Sequence, residues 1–357
     1  MDVKTLVVTG PGHLTIETRT IPAPRPHEAV VTVVHGGICG SDLHYYRSGR
    51  VGEAVLRSPM VLGHEVVGVV AEPAADGSGP APGSRVAVHP AQVCGRCGHC
   101  LRGEQHLCAD LRYLGSAART PHTDGGFAER LVVPASRLVP IPDGLAMRTA
   151  ALAEPASVAL HGLRRLGRGV KSGVKSGVES GVESGVEGRD VLVTGAGPIG
   201  LLTAALAAAA GAASVTATDV FDEPLRLALQ VGATHVVRVG GGEPIPAADV
   251  AIESSGSQAG LVSAIEALRP GGTLVSVGHL PPGGVTAPLH LAVTRELALL
   301  GSSRFYHEMP AALSIMSRGA ERFAPIVTSV FGLDAAVAAF EEAADARRSS
   351  KVLLAFT

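Results

Sequence analysis

Hydrophobic positions follow two different rhythms along the chain. From Met1 to about Val139, short runs rich in Val, Ile and Ala are cut by Gly and Pro, as in AVVTVVHGGICG, EVVGVVAEP and SRVAVHP. β-branched runs between breakers predict short strands joined by many loops. From about Ala156 the rhythm lengthens. DVLVTG has a strand pattern, PIGLLTAALAAAAG a helical one, SVTATD a strand, EPLRLALQVG a helix and THVVRV a strand, and ADVAIESSG, GLVSAIEALRPGG and TLVSVGH continue the alternation. Alternation of this kind predicts βαβ units on a parallel sheet. After about Ser303 come a helix (AAVAAFEEAADAR) and a last strand (KVLLAF). A last strand needs a sheet to join, and that of the first domain is the candidate. The predicted class is α/β: a β-rich domain over 1–155 and 304–357, with a doubly wound nucleotide-binding domain over 156–303.

One segment fits neither rhythm. Residues 169–188 read GVKSGVKSGVESGVESGVEG, a four-residue unit in five copies. As a helix it carries a Gly in every unit, each costing about 1 kcal/mol relative to Ala. As a strand it buries too little to hold itself. A weakly ordered loop inserted before the first strand of the doubly wound domain is predicted.

The chain's 357 residues exceed one ordinary domain, and 46% hydrophobic with 17% charged residues suits a globular protein with ample core. A formal net charge of −2 offers no basic surface for nucleic acid or for an acidic membrane. The start, MDVKTLVVTG, lacks the apolar core of a signal peptide, and the longest apolar run, roughly 201–210, falls short of the about 20 residues that span a bilayer. A cytoplasmic location is expected. Five cysteines, four of them close together, then read as metal ligands before disulfides.

GAGPIG supplies Gly195, Gly197 and Gly200 around Pro198 and Ile199. The motif is weak alone, but here a strand precedes it and a long apolar helix follows. The first Gly allows a tight turn, the second lets the backbone approach a pyrophosphate, and the third lets helix and strand pack closely. Asp219 ends the next strand, about twenty residues on, where a carboxylate takes the ribose hydroxyls of NAD and repels the extra phosphate of NADP. Arg226, one helical stretch further, leaves NADP possible. Ser255 and Gly278 follow later strands at the carboxyl edge, where such ligands lie.

Cys94, Cys97, Cys100 and Cys108 have the spacing of a closed four-thiolate zinc site, which is structural. Cys39 in GGICGSD, His64 and Glu65 in GHE, and Glu154 in AEPASVALHG are candidates for an open, catalytic site. Each alone is ambiguous: a lone Cys is usually a small core hydrophobe, and a Glu before Pro can simply begin a helix.

Together GGICGSD, GHE, the four-cysteine loop, DGGFAE, AEPASVALHG, GAGPIG and TD resemble the zinc-dependent medium-chain alcohol and polyol dehydrogenases. The resemblance covers the chain apart from the repeat. It implies a GroES-like catalytic domain with a Rossmann domain inserted toward the C-terminal side, NAD as cofactor, two zinc ions per subunit and assembly as a homodimer or homotetramer. Cys39 and His64 are implied as catalytic zinc ligands. Glu154 stands where the alcohol dehydrogenases have a second Cys, which is similar to the sorbitol dehydrogenase branch, with its shell of Cys, His, Glu and water. Glu65 is implied as an alternate ligand or as a partner of that water. Asp42 is implied to orient the zinc-ligating His. Ser41 is implied to relay the substrate proton, or to cap the helix beginning near Asp42. Tyr45 and Arg304 match substrate-side residues of the polyol branch. For a sugar acid, Arg304 or Arg112 would hold the carboxylate through paired hydrogen bonds.

Overall fold

In the computed structural model, residues 1–169, 185–281 and 283–356 are described. The chain divides into two compact units, one comprising Met1–Glu154, Val327–Asp345 and Lys351–Thr357, the other Pro155–Ile326 and Ala346–Ser350. No helix among the described residues is long and apolar enough to cross a membrane.

The first unit is built on a seven-stranded sheet. Its path runs from Leu138–Pro140 through Arg85–Val88, Glu65–Glu72, Glu28–Gly37 and Lys351–Ala355 to Val327–Gly332, with Arg130–Pro134 also paired to the Glu28 strand. The central strand is the one that matters for the site. Gly37, at its end, pairs with Glu65 on one side and Leu353 on the other. The alternation of Val31 and Val33 with Val66, Val70, Val86 and Val88 forms an apolar layer against this sheet. A second apolar cluster gathers Leu6, Val8, Met60, Leu62, Phe127, Phe340 and Leu354. The last strand, KVLLA, is buried except for its final residue, as a strand inside a sheet requires.

The second unit is a six-stranded parallel sheet in the order His235–Arg238, Ser214–Asp219, Asp190–Thr194, Ala248–Glu253, Leu268–Ser276 and Ala298–Gly301. The order turns around the Asp190 strand, and the helix Pro198–Ala209 follows that strand directly. Open sheets of this kind bind ligands at the carboxyl ends beside such a switch.

The return to the first unit begins at Val327, later than the 304 expected from the sequence. Residues 304–326 fold with the second unit, burying Phe305, Met309, Leu313, Met316 and Phe323. Glu308 explains this. Its carboxylate accepts the backbone N–H groups of Tyr306 and His307, lies 3.0 Å from His161 Nδ1 on the helix Ala153–Gly169, and pairs with Arg164 at 3.8 Å. Burial alone would raise the Glu308 carboxyl, but the His161 bond, the His161 charge and the Tyr306 N–H outweigh it and hold it down at about 2.

The predicted repeat loop lies outside the described residues except at its ends. Its last unit is docked: Val186 is fully buried, the Arg189 N–H donates to its carbonyl, and a Cβ built on Gly185 would fall 3.1 Å from Leu166 Cβ. The two described ends of the insertion therefore lie side by side. Loop length enters folding only logarithmically, at about 0.6 kcal/mol per doubling. Deleting residues 173–184 should accordingly shift Tm by no more than about 4 °C, measured by differential scanning calorimetry. Glu308 supplies a second test. Its folded pKa lies below the unfolded value of about 4.3, so its stabilisation is full above that pH and fades as pH falls toward 2. Glu308→Gln should cost about 3 kcal/mol at pH 7 and flatten the loss between pH 4 and 2 in urea unfolding curves.

Candidate active site

The site grows from three adjacent strands and the two turns beyond them. Cys39 lies two residues beyond the Glu28–Gly37 strand, His64 immediately precedes the neighbouring strand, and Glu65 opens it. Cys39 Sγ, one His64 ring nitrogen and one Glu65 oxygen lie within 4.8 Å of one another. Gly37 makes the gathering possible, since a Cβ there would sit 2.0 Å from Glu65 Oε2. On the far side of Gly37 the last strand delivers Lys351. Its ammonium lies 2.7 Å from both Glu65 oxygens and donates to the Ile38 carbonyl at 3.0 Å. Both partners are buried.

Cys39 caps the helix Gly40–Ser48. Asp42 sits at that helix's third position, where one carboxylate oxygen accepts the Cys39 N–H at 2.9 Å and the other accepts the Gly63 N–H at 3.1 Å. The latter oxygen is 4.0 Å from His64 Nδ1, beyond hydrogen-bond length. Ser41 is the helix's second residue, so the cap that its hydroxyl was expected to provide belongs to Cys39 and Asp42. Glu154, in the first turn of the helix Ala153–Gly169, is buried and accepts the Tyr113 hydroxyl at 2.7 Å. Among the described residues the trio that gathers contains Glu65 and leaves Glu154 outside.

The charges at this site are unbalanced. Burial pulls His64 down, but the negative charge of Cys39, Asp42 and Glu154 overrides it and leaves the imidazole well above its usual value. Burial pushes Glu154 up to about 7, helped by the charge of Glu65 and opposed by His64. Burial also raises Asp42. Burial would strip Lys351 of its proton, yet Glu65 and Cys39 hold its ammonium above the ordinary range. Three buried carboxylates and a thiol against one ammonium and one imidazole make a donor set suited to a divalent cation, and Cys, His and Glu are all zinc ligands.

The second cysteine group fits a metal on distance. Cys94 and Cys100 sulfurs are 4.0 Å apart, Cys97 and Cys108 3.9 Å, Cys94 and Cys108 3.5 Å. Four sulfurs at 2.3 Å from a tetrahedral zinc are about 3.8 Å apart, whereas a disulfide needs about 2.05 Å. The backbone N–H groups of Ala109 and Cys100 bring the Cys97 thiol down to about 6, while burial pushes Cys100 up to about 12. Four sulfurs at this spacing offer the donor set of a closed tetrahedral zinc site.

In the second unit Gly195 has φ +86°, and a Cβ on it would fall 2.6 Å from Ser255 Cα; one on Gly200 would fall 1.8 Å from the Gly195 carbonyl oxygen. Gly197 caps the Pro198–Ala209 helix, with Pro198 at its first position and Ile199 half-buried in its first turn. Asp219 accepts the Ala196 and Phe221 N–H groups, one on each carboxylate oxygen, so it is bonded into the glycine turn while keeping lone pairs to spare. Ser255 donates to the buried Glu253 at 2.6 Å, and Gly278 lies against the Gly256 backbone. Arg226 is engaged by Glu223 on the outer face of its helix.

The remaining expected residues are spread more widely. Tyr45 is buried in the apolar core, its hydroxyl oxygen accepting the Ala117 N–H at 2.9 Å. Arg112 donates to the Pro121 carbonyl at 3.2 Å. Arg304, in the second unit, is exposed and has φ +55°, an unusual conformation for a long side chain. Two residues at the site escaped sequence reading. Tyr113 adjoins Arg112, and only its geometry marks it. Lys351 is the single charge in an apolar terminal strand, which was its available signal.

Comparison with known proteins completes the assignment. The alcohol dehydrogenase GroES-like domain family matches residues 25–143, and the zinc-binding dehydrogenase family matches residues 198–318. The chain belongs to the zinc-dependent medium-chain dehydrogenases, in their polyol branch: it is an NAD(P)-dependent alcohol or polyol oxidoreductase that uses zinc. It is 33% identical to the L-idonate 5-dehydrogenase (NAD(P)(+)) of Escherichia coli K12, with all of both chains aligned. It is 35% identical to human sorbitol dehydrogenase, over 94% of this chain and 91% of the other. The crystal structure of the E. coli L-idonate 5-dehydrogenase superposes with a TM-score of 0.90 at 31% identity, covering 99% of this chain and 98% of that one. A zinc-binding dehydrogenase from Sinorhizobium meliloti, solved with NADP bound, gives 0.86 at 31% identity, with 99% of each chain covered.

Removing the Lys351 charge tests the site's frame. Lys351→Met leaves the Glu65 carboxylate buried without its cation and should cost about 3–5 kcal/mol in urea unfolding of metal-free protein. Zinc-loaded protein should lose less. A loss under about 1 kcal/mol in the metal-free protein would remove Lys351 from that role.

Proposed function

We propose that this polyol dehydrogenase acts on a sugar acid, interconverting L-idonate and 5-keto-D-gluconate at a secondary hydroxyl, with NAD preferred. The observation that carries the reading is the end-to-end relationship to an L-idonate 5-dehydrogenase, in sequence and in fold. Zinc at the Cys39–His64–Glu65 set supplies a Lewis acid that makes a secondary hydroxyl more acidic. The protein's own residues do the rest. Glu65, tethered by Lys351, provides a ligand whose position is set before substrate arrives, and the Asp42 carboxylate stands 4.0 Å behind His64 Nδ1. Ser41, at the start of its helix, passes the proton outward. The glycine turn and the helix N-terminus at Pro198 bind the pyrophosphate, and Asp219 takes the ribose. Arg304 or Arg112 holds the substrate carboxylate through paired hydrogen bonds. The four-cysteine loop holds the second, structural zinc.

A second reading, a neutral polyol such as sorbitol, xylitol or butanediol, is favoured by the comparable identity to sorbitol dehydrogenase. We further propose a cytoplasmic homodimer or homotetramer. The edge strand Ala298–Gly301, with Leu299 exposed, is the surface on which such an assembly would pair.

The deciding measurement is initial NADH or NADPH absorbance over a panel of L-idonate, sorbitol, xylitol and 2,3-butanediol, each with NAD and with NADP. L-Idonate with NAD should give the highest kcat/KM, and Arg304→Ala should lower it about 100-fold for L-idonate, mostly in KM, with less effect on sorbitol. Sorbitol turning over faster than L-idonate would establish the second reading.

A further inference from the structure

Two buried carboxylates stand at the zinc site, close enough for the charge of Glu65 to act on Glu154. Among the described residues, only Glu65 gathers with Cys39 and His64. Glu65 is secured by Lys351 across Gly37. Glu154 has a different anchor, the Tyr113 hydroxyl at 2.7 Å on its Oε1. The ring of Tyr113 also stands edge-on to the His64 ring, with centroids 5.7 Å apart at 62°. This tyrosine therefore touches the carboxylate outside the set and an imidazole inside it.

The placement of Tyr113 has a clear origin. It lies on the two-residue strand Arg112–Tyr113, which pairs with Ala91–Gln92. One of these strands enters the four-cysteine loop just before Cys94 and the other leaves it just after Cys108. The pair is the base of that loop, and Leu114 and Ala91 beside it are buried. A two-residue strand has little ladder pairing of its own, so the four-cysteine loop above it, once closed by a metal, would set its position.

We propose that Tyr113 is a positioning residue: its hydroxyl holds Glu154 by one oxygen outside the Cys39–His64–Glu65 set, leaving the other oxygen as an acceptor for the reacting hydroxyl, and the four-cysteine loop acts on catalysis through it. The inference rests on the reading of this site as a zinc-dependent alcohol centre. Without the phenol, Glu154 is released and competes for the metal. A partner of this kind outside the ligand set is worth about 10–100-fold in activity or metal affinity.

Tyr113→Phe keeps the ring and removes only the hydroxyl. Cobalt substituted for the catalytic zinc gives a visible spectrum that reads ligand number and identity without any substrate. Tyr113→Phe should keep two metal ions per chain and change the cobalt spectrum. Its kcat/KM, with both L-idonate and sorbitol, should fall about 10–100-fold. Glu154→Gln has no charge with which to compete for the metal, so in that background Tyr113→Phe should leave the spectrum unchanged and cost less than about 3-fold further. A Tyr113→Phe spectrum identical to wild type overturns the proposal, and so does the same spectral change and the same fractional loss in both backgrounds. Wild-type protein inert toward every polyol would sink the functional reading alone, since the cobalt spectra would still decide the role of Tyr113.

Discussion

A carboxylate inside a protein must be matched by positive charge, and the first unit is arranged around that requirement. Glu65 enters the interior at the start of its strand and is buried there. The sheet order solves the problem, because the strand carrying Lys351, from the far end of the chain, lies two places away with only the Gly37 strand between. The glycine is what lets opposite charges meet across an intervening strand. Two bonds at 2.7 Å to one ammonium fix both oxygens, and the Ile38 carbonyl fixes the ammonium in turn. Everything else at the site inherits this frame: Cys39 begins where the central strand ends, and His64 precedes Glu65 by one residue.

That frame also separates the two acidic side chains. Two like charges near one cation compete for it, and a site that lets them exchange has no fixed geometry. Here each has its own tether, an ammonium for one and a phenol for the other. The same logic of anchored polar groups recurs in the second unit, where Asp219 is bonded into the glycine turn and Glu253 receives Ser255 and the Gly256 N–H. In both units these acidic groups are held by short-range bonds to backbone or to buried partners, which leaves little ordering of their own side chains to be done.

Much of this was legible in the sequence because it is written in short-range patterns. Strand–turn–helix around GAGPIG, four cysteines in one loop, and CGSD with GHE are local signals, and each lies where local chemistry placed it. What was not legible depends on pairings distant along the chain. Glu65 rather than Glu154 joins Cys39 and His64 because Lys351 lies 286 residues away and yet one strand beyond Gly37. Tyr113 carries no local signal, because the strand pair at the loop base is what brings its hydroxyl to Glu154. The helix near Asp42 starts two residues earlier than its serine suggested, since the Asp42 carboxylate at the third position accepts the Cys39 N–H, as the third residue of a capping box does. The late return at Val327 follows from Glu308, whose partners His161 and Arg164 belong to a helix that sequence rhythm alone does not connect to it.

The docking of the last repeat unit has a consequence for heredity. What docks is a glycine with positive φ beside Leu166 and a valine in the interior, and every one of the five units begins with the same Gly-Val pair. If a replication slip removes or adds a whole unit, the final pair is still Gly-Val, and Asp190 is still reached in the same register. The gene can therefore change length here in steps of twelve nucleotides without disturbing the strand that follows.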